Sequence, residues 1–145
     1  MDADSCPVKE EIVENARNFD MEVVFVASYN HISNVSVEGT WHYVDSDKEA
    51  ADLFIMNHVN AGDIAVTQDI GLASTLLSKK VHVLNPRGNL YEERDIDSAL
   101  HMRYLSAKAR RQGKYGKGPK PFTEEDRKRF QKNFTNLLSK IKGVL

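Results

Sequence analysis

Hydrophobic and polar positions along the chain follow two periods. Short apolar runs rich in β-branched residues predict four strands, over residues 21–27, 40–44, 64–66 and 81–84. Apolar residues at helical spacing predict four helices between and around them, over residues 7–19, 48–59, 70–78 and 95–110. Because strands alternate with helices, the pattern favours an α/β fold with a mostly parallel central sheet and helices on both faces.

The C-terminal part continues the helical pattern. Residues 112–121 are rich in Gly, Pro and Lys, which predicts a linker or a phosphate-facing loop. Thr123 and Asp126 have capping-box spacing and predict the start of a last helix. The apolar stripe of that helix must pack on something: Phe130, Phe134, Leu137, Leu138, Ile141 and Leu145. We expect a single domain, with an α/β core at residues 1–94 and a basic helical extension at residues 95–145.

The net charge of −1 over 145 residues hides an asymmetry. Residues 103–145 contain 13 Lys and Arg against 3 acids, whereas residues 1–102 contain 7 Lys and Arg against 18 acids. An acidic body with a basic tail fits a polyanion that is held beside a carboxylate site. It fits equally well a tail that packs against its own acidic body.

Several protein classes are excluded by composition. The single cysteine excludes an intramolecular disulfide framework and a cysteine-based zinc site. No apolar run approaches the roughly 20 residues that a membrane-spanning helix needs, and the first residues lack the pattern of a signal peptide. We therefore expect a cytoplasmic protein with no membrane partner.

Four aspartates lie where parallel α/β sheets form sites. Asp69 directly follows a strand, Asp2 and Asp4 precede the first helix, and Asp52 lies on a helix between two strands. Converging carboxylates would bind a hard cation such as Mg²⁺ or Mn²⁺. A structural interpretation competes with this one, because Asp2, Asp4 and Asp69 could cap helices and Asp52 could be an ordinary surface residue.

The chain resembles the YaiI/YqxD family of bacterial proteins, in order and over nearly its whole length. The resemblance rests on these segments: Asp2-Ala3-Asp4-Ser5-Cys6-Pro7-Val8, Ala50-Ala51-Asp52, Gly62-Asp63, Thr67-Gln68-Asp69, Leu72-Ala73, Asn85-Pro86-Arg87-Gly88, Gly118-Pro119, Pro121-Phe122-Thr123, Asp126-Arg127 and Phe130. The family is usually placed in the PIN-like superfamily, whose characterised members are largely Mg²⁺- or Mn²⁺-dependent ribonucleases. The resemblance implies a PIN-like three-layer fold, with RNA as a partner.

The resemblance also implies roles for particular residues. The acids of the PIN pattern fall on Asp2 or Asp4, on Asp52 and on Asp69, so Asp4, Asp52 and Asp69 are the expected catalytic residues and Asp2 is a further metal ligand. Asp63 precedes its strand and is expected at the opposite end from the site. The basic residues expected to position an RNA backbone are Arg87, Arg103, Arg110, Arg111, Lys114, Lys117, Lys120 and Arg127.

The sequence departs from the family pattern at its start. Relatives carry a short apolar strand before the first aspartate, whereas only Met1 precedes Asp2 here. Either the start of the chain is shortened or the first strand, which would lie in the middle of a PIN-like sheet, is missing. We expect its loss to expose strand edges, to leave Asp2 and Asp4 on a mobile terminus and to weaken metal binding. Exposed edges could also favour pairing between chains, as a homodimer.

Three functions compete at this point. A metal-dependent ribonuclease or related phosphodiesterase would lose cleavage on chelation and on Asp69→Asn. A non-catalytic RNA-binding module would bind with a steep salt dependence and no turnover. A nucleotide-binding or protein-interaction domain would have no RNA affinity.

Overall fold

Every predicted helix and strand is present in the predicted order. The computed structural model describes residues 7–28, 39–45, 48–111 and 121–142. These ranges contain α1 (Lys9–Asn18), β1 (Val24–Ser28), β2 (Thr40–Val44), α2 (Lys48–His58), β3 (Ile64–Val66), α3 (Ile70–Ser78), β4 (His82–Leu84), α4 (Glu93–Arg111) and α5 (Glu124–Lys142). The α/β class is therefore confirmed.

The strands pair in parallel as expected, but not as one sheet. In the described ranges β1 pairs with β2 and β3 pairs with β4, which makes two separate two-stranded sheets. Val24 and Val26 of β1 line the same cavity, of about 540 Å³, as Ile64 and Val66 of β3. The described residues therefore do not form the expected single central sheet. A continuous sheet would require hydrogen bonds between β1 and β3, whereas these two strands face a common cavity.

Alternate residues of β3 and β4 enter two different apolar clusters. Ala65 and Val83 belong to a cluster with residues of α2, α3 and α4. Val66 and Leu84 belong to a second cluster, which includes residues of α1 and α5. Because successive side chains of a strand point to opposite faces, helices cover both faces of the β3–β4 sheet.

Two helices end in the same way just before a strand. Asp20 after α1 and Lys80 after α3 have positive φ angles of 56° and 66°. The next residue in each case, Met21 or Val81, donates its N–H to a carbonyl of the last helical turn, on Ala16 or Leu76. This is the Schellman arrangement, which reverses the chain sharply, and it leads towards β1 and β4.

The last helix packs on the core as its apolar stripe predicts. Phe130, Phe134 and Leu138 are buried in the cluster that contains Val8 and Ile12 near the start of the described chain. The capping box is also confirmed: the Thr123 hydroxyl accepts from the Asp126 N–H at 3.2 Å, and the Asp126 carboxylate accepts from the Thr123 N–H at 3.0 Å. In the described ranges no helix combines the length and the apolar character that crossing a bilayer requires.

Candidate functional site

Asp69 lies at the carboxyl end of β3, where it is the N-cap of α3. Its Oδ1 accepts the backbone N–H of Leu72 at 3.1 Å, and its own N–H donates to Thr67 Oγ1 at 3.1 Å. The Thr67 side chain is buried. The carboxylate is therefore held in one orientation by the strand-to-helix turn. The capping role that competes with metal binding is present, and it engages one of the two carboxylate oxygens in a hydrogen bond to the backbone.

Tyr91 is a neighbour of Asp69 that sequence reasoning missed. Its hydroxyl donates to the carbonyl oxygen of Thr67 at 3.4 Å, and its backbone N–H donates to Val83 at 2.9 Å. Burial raises the pKa of the Tyr91 phenol, and the negative charge of Asp69 raises it further. The phenol is therefore neutral at physiological pH and is a hydrogen-bond donor beside the carboxylate. A lone aromatic residue between a loop and a helix carries no sequence signal for such a role.

Asp63 occupies the other end of β3. Its carboxylate accepts the N–H of Asn60 at 2.8 Å and so closes the turn before the strand. The expectation that Asp63 and Asp69 lie at opposite ends of one strand is confirmed, because they flank Ile64–Val66. Asp63 is thus a second turn-closing aspartate away from the candidate site.

The other predicted metal ligands are not assembled by the described residues. Asp52 is half-buried on α2, the helix that packs on α3. Asp2 and Asp4 lie outside the described residues. In the parts of the chain that the structure describes, no three His, Cys, Asp or Glu side chains are grouped to hold a metal ion.

Two of the predicted RNA-contacting arginines are engaged inside the protein. Arg87 Nη1 donates to Asp126 Oδ2 at 2.8 Å and to the carbonyl of Pro121 at 3.3 Å. Arg127 Nη1 donates to Glu11 Oε1 at 2.5 Å and to the carbonyl of Pro7. The hydrogen bond and charge of Glu11 raise the pKa of Arg127. Both guanidinium groups thus tie α5 to the rest of the molecule.

The Asn85-Pro86-Arg87-Gly88 segment docks against α5. Asn85 Oδ1 accepts the N–H groups of Arg87 and Asn89, which fixes the loop. Gly88 has a φ of 93° and lies so close to α5 that an added Cβ would stand 2.5 Å from the Phe130 nitrogen. Asn133 of α5 donates to the Gly88 carbonyl at 2.6 Å. Two segments that carried the family resemblance therefore meet in space, with a packing role.

The remaining predicted basic residues fall into two groups. Arg103, Arg110 and Arg111 lie on α4, from its centre to its C-terminal end. Lys114, Lys117 and Lys120 lie outside the described residues. The structure brings Arg87 and Arg127 to the start of α5, where Arg87 is bonded to Asp126 and Arg127 to Glu11.

The fold and the site define a class: an α/β protein with parallel strand pairs, a capping carboxylate at the carboxyl end of a strand, and two long basic helices at its C-terminal end. The chain belongs to the family described as "Uncharacterized BCR, YaiI/YqxD family", which matches residues 1–140. The resemblance to this family is confirmed over the whole of its matched length.

Bacterial relatives resemble the chain from end to end. A UPF0178 protein of Bacillus cytotoxicus is 48% identical over 145 residues, covering 100% of this chain and 95% of the relative. A UPF0178 protein of Listeria welshimeri is 51% identical over 138 residues, covering 95% and 93%. One of Bacillus pumilus is 51% identical over 146 residues, covering 100% and 88%. No solved structure matches the chain.

Proposed function

We propose that this protein is a divalent-metal-dependent phosphodiesterase that acts on RNA, with its site at the carboxyl end of β3. The observation that carries the proposal is the position of Asp69, whose carboxylate is fixed beside Thr67 and Tyr91 where a parallel strand ends. Membership of the YaiI/YqxD family and the likeness of its motifs to the PIN pattern support the reaction class. In this proposal the two strand pairs belong to one PIN-like three-layer arrangement.

The proposed metal is Mg²⁺ or Mn²⁺, held by Asp2, Asp4, Asp52 and Asp69. Carboxylate oxygens are the ligands that hard cations prefer. Asp69 fits this role in part, because its bond to Leu72 uses Oδ1 and leaves the second oxygen for a ligand. The other ligands would come from Asp52 and from the two aspartates outside the described residues. When bound, such a cation supplies an activated water and stabilises negative charge on the phosphodiester.

The chain's own residues have defined tasks in this proposal. The Leu72 N–H orients the Asp69 carboxylate, and Thr67 anchors the turn that carries it. The neutral Tyr91 phenol, now bonded to a carbonyl, can donate to a phosphate oxygen. The backbone of the RNA would be positioned by basic residues of α4 and of the segment that follows it: Arg103, Arg110, Arg111, Lys114, Lys117 and Lys120. Arg87 and Arg127 would act indirectly, by holding α5 in place.

The test is calorimetric titration of Mn²⁺ and of Mg²⁺ into metal-free protein, followed by an RNA cleavage assay with and without EDTA. Asp69→Asn is the informative variant, because asparagine caps a helix about as well as aspartate does but lacks the carboxylate charge. Asp63→Asn is the matched control: it changes the same residue type, with a similar turn-closing bond, at the other end of the same strand.

We expect binding and EDTA-sensitive cleavage in the wild type and in Asp63→Asn, and loss of both in Asp69→Asn with an unchanged thermal midpoint. Cleavage that survives in Asp69→Asn contradicts the proposal. Equal metal binding by all three proteins contradicts the assignment of the site.

A second candidate is a non-catalytic RNA-binding module, which is favoured by the capping bond of Asp69. In that case the carboxylate serves the fold alone. The same proteins would bind RNA with an affinity that falls steeply with salt, and no divalent ion would produce turnover. The protein-interaction function would give no RNA binding at all.

A further inference from the structure

Helix α4 exposes large apolar side chains near its centre, and Tyr104 and Leu105 lie on the side of the helix that also carries Glu93, Asp97 and Lys108. Met102, Tyr104 and Leu105 have 61%, 57% and 42% of their surface exposed. Only Ile96 is buried among the side chains of α4 that the structure describes. Large apolar side chains grouped on a surface are typical of an interaction site rather than of free solvent-facing structure.

The charges of α4 are segregated around the same point. Met102 is the central residue of Glu93–Arg111, with nine residues on either side. The N-terminal nine contain three acids and one base, whereas the C-terminal nine contain four bases and no acid. The helix dipole is positive at the N-terminus and negative at the C-terminus. The acidic side chains therefore lie at the positive end and the basic side chains at the negative end, and the helix has one acidic and one basic half.

We propose that the face of α4 that carries Tyr104 and Leu105 is a self-association surface, on which two copies of this chain pair antiparallel about a twofold axis close to the middle of the helix. Antiparallel pairing sets the acidic half of each helix against the basic half of its partner, twice over, and brings the apolar centres together. Parallel pairing would set four bases against four bases. A twofold axis makes such an interface self-complementary, because the same patch serves both copies.

The charge pattern argues against a nucleic acid as the occupant of this face. A phosphate backbone that follows the whole helix would be attracted by the C-terminal half and repelled by Glu93, Asp95 and Asp97 in the N-terminal half. The exposed apolar centre gives a backbone nothing to bind. A second copy satisfies both halves and the centre.

The size of the α4 surface determines the expected affinity of the dimer. A 19-residue helix is about 28 Å long, so one helix pair falls at the small end of specific interfaces, below about 1,200 Å² in total. We expect a weak, reversible dimer. Its affinity should fall as salt is raised, because the charges lie at the surface and are screened.

The test is sedimentation of the full chain over a wide range of protein concentration. The wild type should change from monomer to dimer as concentration rises, and Leu105→Asp should weaken dimerisation at least about tenfold, since it buries a charge in the interface. Leu53→Asp is the matched control, because Leu53 on α2 is 51% exposed and lies outside α4. It should dimerise as the wild type does, and circular dichroism should show that both variants are folded.

A pair of charge variants tests whether opposite charges on the two copies of α4 hold the dimer together. The basic-helix variant carries Glu93→Lys and Asp97→Lys, and the acidic-helix variant carries Lys108→Glu, Arg110→Glu and Arg111→Glu. Each alone should be monomeric, because both halves of its helix have the same sign, whereas the mixture should form a heterodimer. A wild type that stays monomeric at every concentration overturns the proposal. In that case α4 would be covered by its own chain or by added RNA. A Leu105→Asp variant that dimerises normally, or a mixture that remains monomeric, also overturns the proposal.

Discussion

The two C-terminal helices, α4 and α5, have the same length and similar composition, but they differ in how many of their described side chains are buried in the core. Each has 19 residues and several Lys and Arg side chains. On α5, Phe130, Phe134 and Leu138 are buried on one stripe. On α4, only Ile96 is buried among the described side chains, and the apolar residues near Met102 face outward. The apolar stripe of α5 therefore packs on the core along much of the helix, whereas the described side chains of α4 reach the core at Ile96.

The arginines of the two helices differ in the same way. Arg127 of α5 pairs with Glu11 of α1, and the side chains are 32% and 17% exposed. Arg94 of α4 pairs with Glu92 just before that helix, and these side chains are 82% and 46% exposed. Exposed pairs contribute about 0–1 kcal/mol, whereas loss of one partner from a more buried pair costs more. Arg127 therefore holds α5 to α1, whereas the exposed pair of Arg94 contributes little to the fold.

The largest expected difference in stability between changes on α5 and changes on α4 comes from removing one aromatic side chain from each helix. Phe130→Ala deletes a fully buried ring and should lower the free energy of unfolding by about 3–5 kcal/mol. Tyr104→Ala removes a ring that is 57% exposed and should change it by about 0.5 kcal/mol or less. Urea denaturation measures both. Similar losses in the two variants would mean that the Tyr104 ring is packed as closely as the Phe130 ring.

A pair of glycines isolates the contact between the Asn85–Gly88 loop and α5. Gly88 and Gly62 have φ angles of 93° and 92°, so a Cβ costs similar backbone strain at each, about 1 kcal/mol. At Gly62 the Cβ meets no atom within 4 Å, whereas at Gly88 it meets the α5 backbone at 2.5 Å. Gly88→Ala should therefore be about 1–3 kcal/mol more destabilising than Gly62→Ala. Equal effects in urea denaturation would show that the loop does not press on α5.

Local pattern was sufficient for the helices and strands but not for the sheet. The helix stripes, the strand runs and the capping box at Thr123 and Asp126 all depend on residues a few positions apart, and each was predicted. Whether β1 and β3 pair depends on residues far apart in sequence, and the described strands instead line a common cavity. A periodic pattern contains no information on that step.

The same distinction applies to the candidate site. Asp69 was predicted at the end of a strand, with capping and metal binding as alternatives, because both follow from its local position. The pairing of Arg87 with Asp126 joins residues 39 apart, and that of Arg127 with Glu11 joins residues 116 apart. A charge count cannot distinguish such arginines from solvent-facing ones. Tyr91 escaped notice because its partner, the Thr67 carbonyl, is a backbone group that no side-chain pattern reveals.

The smallest expected effect is on the pH dependence of stability, which should involve the first turn of α5 and not α4. The Thr123 backbone N–H lowers the pKa of Asp126 below its ordinary value of 3.8, and the Thr123 hydroxyl, Arg87 and Arg129 lower it further against the opposing effect of burial. The unfolded chain therefore takes up a proton at higher pH than the folded one. The resulting stabilisation is fully present above the ordinary pKa and is lost as the pH falls through the lower, folded value.

Urea midpoints measured from about pH 6 down to about pH 2.5 should show this loss in the wild type and a shallower loss in Asp126→Asn, since asparagine does not titrate. Asp97→Asn on α4 is the control, because Asp97 is exposed and makes none of the contacts that hold Asp126. It should retain the acid-induced loss of the wild type. If Asp97→Asn reduced the acid-induced loss of stability as much as Asp126→Asn does, the charge responsible would lie on α4. The two helices would then not differ in their electrostatic contribution to stability.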